Sequence, residues 1–490
     1  MKFIRLNKTI LLIIALIGLG SLSFINLSAD PVPLLWLHNQ DEGNYSYNTR
    51  NLVLENKLVT DEVNFFFVSP LWTTIQLPFV KTFGIHFESF RFPAALSPIL
   101  LAIIVFFFIQ KVTGNRLLGF VGGLLTISNF LVLVHSRFAM PETTNLLFLT
   151  LGFVAWYFTL ERYPSFQCGW GLLTGVFWTA AFLTKGNGIS LGLTLVTSLA
   201  LLVITKRQLP STKQVLKLTL PFIIFGLAFL GTRLTFALAY PQEFAVATVE
   251  LTEKYRPLLR SQLLNPAFWQ AQTKEFVLGG EGNTWQYVPF LTIGALLFVA
   301  VILKKLTRRQ TVTTLEILTL SFLIGSLSWY WLIVYKPARY FLLTTPALIL
   351  ANILLTKVKP RLGLSLLTLT LILELFLGLR FIYTKYSFDD VAVGRVVKET
   401  VGKKFVAGGG LDAWGLNEDY HFLNTYFAGF AKDSLTNQFQ RRGWPSYFLS
   451  ETVNPPNITN TVVIPIKKSP SYNKFNSKNQ TVSIFEVKRF

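Results

Sequence analysis

The chain has 490 residues, of which 51% are hydrophobic and only 14% are charged, and its mean hydropathy is +0.47. A soluble domain of ordinary composition does not reach these values, so most of the chain is expected to lie in lipid. The formal net charge of +20 would also fit a nucleic-acid-binding protein. The lysines and arginines fall mainly in short gaps between apolar runs, however, which indicates membrane topology and argues against a nucleic-acid surface.

The histidine and cysteine content limits metal chemistry. Cys168 is the single cysteine, which excludes an intramolecular disulfide and a cysteine-based metal site. The four histidines show neither zinc-finger nor HExxH spacing.

The first apolar run follows a basic N-terminus and extends from Thr9 to about Leu27. Its length of about 18 residues favours an uncleaved membrane anchor. A cleavable signal peptide stays the alternative, with a poor cleavage site at Leu27-Ser28-Ala29.

About eleven apolar runs predict an all-α polytopic membrane domain. They lie near residues 9–27, 91–110, 117–134, 145–160, 169–183, 188–205, 218–238, 288–303, 314–335, 340–356 and 362–381. Lysines and arginines concentrate at the N-terminus and in every second gap, which predicts that these segments are cytoplasmic. The remaining gaps would then be extracytoplasmic, with large outer loops at about 28–90 and 239–287.

The composition changes after about residue 384, where the chain becomes far more polar. Segments 461–466 and 481–487 are rich in strand-forming residues. We therefore predict two units, a membrane domain over 1–384 and a small extracytoplasmic α/β domain over 385–490.

Two adjacent carboxylates, Asp41 and Glu42, follow the first apolar run. Side by side in a confined site they cannot both ionise at low cost, which raises one pKa and makes that group a plausible general base. The alternative is a solvated acidic loop or a helix N-cap.

The loop after the third run places Arg137 and Glu142 on the same predicted face, either as site residues or as an ion pair that ends two helices.

Two cationic segments lie on the same predicted outer face. Lys185 stands between glycine-containing apolar runs, and this combination suits phosphate, although a snorkelling loop lysine is the alternative. Arg339 offers a bidentate fork to phosphate oxygens, and Tyr340 offers a hydroxyl. Carboxylates and phosphate-suited cations on one face predict a site for an anionic lipid head group and a nucleophile that must lose a proton.

At these residues the sequence resembles the GT-C superfamily of integral-membrane glycosyltransferases, in particular glycosyltransferase family 39, with its protein O-mannosyltransferases and the similar aminoarabinose transferases. The resemblance rests on Asp41-Glu42, Arg91-Phe92-Pro93, His135-Ser136-Arg137 with Pro141-Glu142, Thr184-Lys185-Gly186, and Arg339-Tyr340. The sequence departs from many relatives at Glu142, where the shorter Asp is expected.

The resemblance implies inverting transfer of a sugar from a polyprenyl-phosphate carrier, with Asp41 as the base that activates the acceptor hydroxyl. Glu42 and Glu142 would orient the acceptor, the base or a metal.

By the same resemblance, Lys185, Arg339 and Tyr340 would hold the carrier phosphate, and Arg137 would belong to the same substrate site. Tyr45 would stack on a sugar or anchor at the membrane interface. In some relatives a divalent cation (Mg, Mn or Zn) binds near these carboxylates and others need none, so the resemblance implies either no cofactor or a cation near Glu42, Glu142 and His86.

Two other functions fit the same outer charges. The first is a transporter or flippase for lipid-linked sugars, although the sequence has no convincing internal repeat. The second is a non-catalytic assembly protein of the cell envelope. The acceptor is a protein, a lipid or a glycan, and the basic, cysteine-poor composition favours a bacterial plasma membrane.

Overall fold

The computed structural model describes residues 8–31, 40–58, 65–161, 167–206, 210–245, 247–248, 265–278, 288–332, 338–384, 386–387, 389–402, 406–408, 422–424, 445–450, 461–468, 472–474, 477–480 and 483–489. Within these ranges the protein is mainly helical. The helices are α1 (Lys8–Gly20), α2 (Gln40–Glu55), α3 (Pro70–Phe83), α4 (Phe87–Thr113), α5 (Arg116–Ser128), α6 (Phe130–His135), α7 (Glu142–Leu160), α8 (Cys168–Thr184), α9 (Ile189–Lys206), α10 (Thr212–Ala239), α11 (Pro266–Leu278), α12 (Pro289–Thr307), α13 (Thr314–Leu332), α14 (Ala338–Phe341), α15 (Thr345–Val358), α16 (Pro360–Thr384) and α17 (Asp389–Val401).

Each of the eleven apolar runs coincides with helical structure, as their uninterrupted hydrophobicity predicts. Seven helices of the described chain are long and apolar enough to cross a membrane, and three further apolar helices are shorter. These findings confirm a polytopic, mainly helical membrane fold. The number of spans stays a prediction.

The run at 117–134 is not one continuous helix, since it divides into α5 and α6 at Asn129. Asn129 has extended backbone geometry (ψ 122°), and its side-chain oxygen accepts from Val132 N at 3.2 Å. The side chain of Glu374 on α16 accepts from Phe130 N and from Asn129 Nδ2. Glu374 therefore supplies a hydrogen-bond acceptor to the start of α6 inside the helical layer.

Helix burial separates the centre of the bundle from its edge. In the most apolar 18-residue segment of α7, 78% of the length is buried, and the value is 89% in the span Arg339–Val358, which contains α15. In the corresponding segment of α10 the value is only 11%. Glu142 begins α7 and Arg339 begins the span that contains α15, so two site segments are attached to the two most buried of these seven spans.

The predicted outer loop 28–90 contains regular structure, because α2, α3 and the start of α4 lie in it. Helix α2 is polar in sequence, yet its described side chains from Glu42 to Arg50 are all buried. Propensity and periodicity do not foresee such a helix, since its burial is imposed by neighbouring elements.

The described part of the C-terminal region contains helix α17 and seven short strands: β3 (Val406–Gly408), β4 (Phe422–Asn424), β5 (Tyr447–Ser450), β6 (Thr461–Lys468), β7 (Tyr472–Lys474), β8 (Ser477–Gln480) and β9 (Ser483–Arg489). Five of them form a mixed sheet in the order β4-β3-β5-β9-β6, with β3 parallel to both its neighbours and β9 antiparallel to both its neighbours. The predicted strands at 461–466 and 481–487 fall on β6 and β9. The domain boundary at 384 stays a prediction.

The C-terminal sheet packs on the same elements that carry the site. A buried cluster joins Tyr47 of α2 and Phe87 of α4 to Val397 of α17, Tyr447 of β5 and Ile484 of β9. In addition, the short strand β1 (Asp30–Pro31) pairs with β2 (Tyr386–Ser387). Helix α2 therefore lies between the bundle and the sheet, which fixes its position from two sides.

Candidate active site

The first site element is the start of helix α2. Asp41 lies in its first turn, four residues before Tyr45, and the two positions share one face of the helix. The side chain of Asp41 lies outside the described residues. Tyr45 is 7% exposed and its ring contacts the cationic cluster described below.

Glu42 forms a buried bidentate ion pair with Arg91 of α4. Arg91 Nε donates to Glu42 Oε1 at 2.8 Å and Nη2 donates to Oε2 at 2.7 Å, and neither side chain is exposed. The third guanidinium nitrogen donates to the carbonyls of Leu27 and Ala29, each at 2.8 Å. Ala139 N also donates to Glu42 Oε1, at 2.5 Å. This network ties α2 to α4, to the chain after α1 and to the loop before α7.

The second carboxylate, Glu142, begins helix α7 and belongs to a different cluster. Lys185 donates to Glu142 Oε1, and Arg339 Nε lies 3.8 Å from the same oxygen. All three residues are at least 92% buried. The described part of this cluster therefore combines two cations and one carboxylate in a place shielded from solvent, a combination that suits an anionic ligand.

Two tyrosines line the cationic cluster. Lys185 Nζ lies 4.9 Å from the ring centroid of Tyr45 and 5.5 Å from that of Tyr340. Arg339 Cζ also lies 5.5 Å from the Tyr340 ring. Aromatic faces attract cations at these distances, so the rings hold the lysine and the arginine without neutralising them. The structure thus brings together Tyr45, Glu142, Lys185, Arg339 and Tyr340 from four separate segments.

A tight turn positions Lys185. Helix α8 ends at Thr184, and a 3₁₀ turn over Gly186–Gly188 leads into α9. A Cβ at Gly188 would overlap the backbone of Phe182, so the close return of the chain requires glycine there. Asn145 of α7 donates from Nδ2 to the carbonyl of Lys185 at 3.3 Å, which attaches this turn to α7.

Arg137 has a different environment from the one the sequence suggests. Its guanidinium donates to the carbonyls of Ser23 (3.3 Å), Ile25 (2.6 Å) and Asn26 (2.5 Å), at the end of the first helical segment. Burial, with a smaller contribution from Arg91, lowers the pKa of Arg137 to about 10. The ion pair between Arg137 and Glu142 considered above is not the one that forms, since Glu142 pairs with Lys185 across 43 residues of sequence. The role of Arg137 in binding substrate stays a prediction.

Within the described residues, Glu42, Glu142 and His86 are not gathered into a single metal-binding group, and the divalent cation that the resemblance implies stays a prediction. His86 is exposed and precedes α4 as its N-cap residue. The two oxygens of Glu42 are occupied by Arg91 and Ala139, and Oε1 of Glu142 is occupied by Lys185. Across the described part of the chain, no group of three or more His, Cys, Asp and Glu side chains is arranged to hold a metal ion.

Sequence reasoning gave no role to two residues that the structure places at the site. Arg91 stood only in a family motif, but it is the partner of Glu42. His135 is fully buried next to the cationic cluster, and burial is the main cause that lowers its pKa to about 4. The signal for Arg91 was a charged residue at the start of an apolar run, where an ionisable group is costly and needs a partner.

Comparison with known proteins shows what the chain is similar to in sequence and in fold. A sequence model of the family described as dolichyl-phosphate-mannose-protein mannosyltransferase matches residues 54–250, a segment that includes Glu142 and Lys185. In fold, the chain is similar to ArnT from Cupriavidus metallidurans, with a TM-score of 0.63, 12% identity and coverage of 97% of both chains. The predicted resemblance to the GT-C superfamily of membrane glycosyltransferases is thereby confirmed.

Further similar proteins share the fold. The same ArnT bound to undecaprenyl phosphate matches equally well, and the Archaeoglobus fulgidus oligosaccharyltransferase matches with a TM-score of 0.57, 10% identity and coverage of 92% of this chain and 70% of that one. At these identities the likeness shows the fold alone. An uncharacterised protein of Aquifex aeolicus (strain VF5) is 24% identical over 178 residues, and the match spans 36% of this chain and about a third (34%) of that relative.

Proposed function

We propose that the protein is an inverting glycosyltransferase that moves a sugar from a polyprenyl-phosphate carrier to the hydroxyl of an extracytoplasmic acceptor. The observation that carries the proposal is the buried cluster of Lys185, Arg339 and Glu142 next to the start of α2. The matched family uses dolichyl-phosphate-mannose, and one similar structure holds undecaprenyl phosphate. Both ligands are lipid phosphates, for which a shielded cationic cluster is a suitable binding site.

The reaction would proceed as a single displacement. Asp41 takes the proton of the acceptor hydroxyl while the acceptor oxygen forms a bond to the anomeric carbon of the sugar. The bond from that carbon to the phosphate oxygen breaks, and its electron pair stays on the phosphate. Lys185 and Arg339 stabilise the additional negative charge of the departing polyprenyl phosphate. Each step of this reaction is assigned to side chains of this chain.

Glu42 is given a positioning role in this proposal. Its ion pair with Arg91 fixes the first turn of α2, on which Asp41 lies. The proposal also places the N-terminus in the cytoplasm and the site on the outer face of a bacterial plasma membrane, as the distribution of lysines and arginines predicts. The acceptor is a protein, a lipid or a glycan.

The experiment that tests the proposal is transfer of labelled sugar from a panel of polyprenyl-phosphate sugars in purified membranes. We expect the wild type to transfer label and Asp41→Asn to lose transfer while it still binds the carrier. The matched control is Glu399→Gln, which changes an exposed carboxylate on α17 and should transfer sugar at the wild-type rate. If wild type and Asp41→Asn both bind carrier but neither turns over any donor, the protein is a flippase or an assembly protein instead.

A further inference from the structure

Three buried acceptor atoms beside the cationic cluster have no hydrogen-bond partner among the residues that the structure describes. They are His135 Nε2, Glu142 Oε2 and Asn145 Oδ1. None of the three residues is more than 2% exposed. Buried polar atoms are nearly always hydrogen-bonded in a folded protein, so three unpaired acceptors on residues that contact Lys185 or lie near it indicate a missing partner.

The proton positions on His135 follow from its contacts. Nδ1 lies 2.7 Å from the carbonyl oxygen of Leu131, and a carbonyl can only accept, so Nδ1 carries the hydrogen. The ring is neutral at pH 7, because burial lowers the pKa of His135 to about 4. Glu142 and the bond to Leu131 oppose this shift, and Arg339 and Lys185 add to it. Nε2 is therefore an acceptor, and it is too weak a base to take a proton from a hydroxyl.

The other two atoms are acceptors for equally specific reasons. Asn145 Nδ2 donates to the carbonyls of Ala181 (2.5 Å) and Lys185 (3.3 Å), which fixes the amide and leaves Oδ1 as the acceptor. Glu142 Oε1 receives Lys185, and Oε2 receives no donor within the described part of the chain. All three atoms thus require a donor.

A phosphate diester cannot be that donor, because its oxygens only accept. A sugar offers hydroxyl groups that donate. We propose that His135 Nε2, Glu142 Oε2 and Asn145 Oδ1 form a subsite that binds hydroxyl groups of the substrate, next to the phosphate position of Lys185 and Arg339. This inference deepens the proposed function and rests on it, since the hydroxyls belong to the donor sugar or to the acceptor.

Two variants of His135 separate hydrogen bonding from packing. In His135→Gln the side-chain amide oxygen can take the place of Nε2, whereas in His135→Asn the amide reaches only as far as Nδ1. If the donor sugar supplies the hydroxyl, we expect His135→Asn to bind the glycosylated carrier about three- to tenfold more weakly relative to the sugar-free carrier phosphate. In His135→Gln, the affinity for the glycosylated carrier relative to the sugar-free carrier should be close to the wild-type value. Thermal unfolding of both variants in detergent reports any general loss of structure, which would affect both ligands equally.

The source of the hydroxyl is identified by two arms of the same experiment. If the donor supplies it, a donor that lacks the corresponding sugar hydroxyl should bind wild type and His135→Asn equally. If the acceptor supplies it, donor binding stays unchanged and the KM for acceptor rises in His135→Asn but not in His135→Gln. Equal behaviour of the two variants towards every ligand would mean that the subsite holds water only, and would overturn the proposal.

The outcome also separates this inference from the proposed function. A wild-type protein that transfers sugar while both His135 variants behave alike retains the function and loses the subsite. A wild-type protein that discriminates glycosylated from sugar-free carrier through His135 but transfers no sugar retains the subsite and loses the function. If wild type binds neither carrier, both proposals fail.

Discussion

The two buried carboxylates of the site, Glu42 and Glu142, differ in how completely their surroundings satisfy them. Glu42 has both oxygens occupied, and its partner Arg91 uses its remaining donors on two backbone carbonyls. Glu142 shares one oxygen between two cations and leaves the other without a donor among the described residues. The oxygens of Glu42 are already used within the protein, whereas Glu142 keeps one oxygen that a ligand can reach with a donor.

The comparison also explains why two acidic residues in one site have different tasks. Glu42 connects α2 to α4 and to the loop before α7, so it determines where Asp41 and Tyr45 lie. Glu142 lies among the groups that would meet the substrate.

Breaking the saturated pair should damage the fold. Arg91→Ala leaves Glu42 buried without its cation, and loss of one partner of a buried pair costs about 3–5 kcal/mol. We expect little folded protein, measured as the monodisperse fraction after mild heating in detergent. The double variant Glu42→Leu with Arg91→Met should be more stable than Arg91→Ala, because it leaves no buried charge. Arg91→Ala with wild-type thermal stability would show that the pair is not structural.

Removing a cation from the incomplete cluster should damage activity more than fold. Lys185→Met keeps the length and apolar stem of the side chain, and Arg339 stays near Glu142 as a second cation. We expect kcat/KM for transfer to fall about 100- to 1,000-fold, the scale for loss of one charge-stabilising group. The thermal unfolding midpoint should fall much less than in Arg91→Ala. A variant that loses activity and stability in parallel would contradict the division of roles.

The pH dependence of stability should report the buried His135. Its pKa is lowered from 6.5 to about 4, so the folded protein resists protonation of the ring while the unfolded chain accepts a proton. The contribution of the neutral His135 ring to the free energy of unfolding is fully present above about pH 6.5 and is lost as the pH falls towards 4. We expect the unfolding midpoint of wild type to fall more between pH 7 and pH 5 than that of His135→Gln. Parallel pH profiles would indicate an ordinary histidine pKa.

Chelation of divalent cations should have the smallest effect. The described residues provide no group of metal ligands, and Glu42 is fully occupied by Arg91 and Ala139. We therefore expect EDTA to leave the transfer rate unchanged and added Mn²⁺ to produce no increase. A rate that falls with EDTA and returns with one particular divalent ion would reinstate the metal site that the family resemblance implies.

The helical bundle is predictable from the sequence because apolar runs in lipid form helices with few alternatives. The alternation of apolar runs also places Lys185 and Arg339 in loops on the same predicted face, and the structure brings these two residues together. The polar helix α2 is different, since its burial depends on contacts with α4 and the C-terminal sheet rather than on its own pattern. Pairing of Glu142 with Lys185 instead of Arg137 is likewise decided by the turn after α8, which no local signal encodes.

Equilibrium binding of sugar-free undecaprenyl phosphate to the purified protein shows whether the cluster of Lys185, Arg339 and Glu142 is the phosphate site. Wild type and Lys111→Met, which changes an exposed lysine at the end of α4, should bind with equal affinity. Lys185→Met should bind at least about tenfold more weakly, because one of the two buried cations is lost. Equal binding by all three proteins would contradict the claim that the incomplete cluster is the phosphate site.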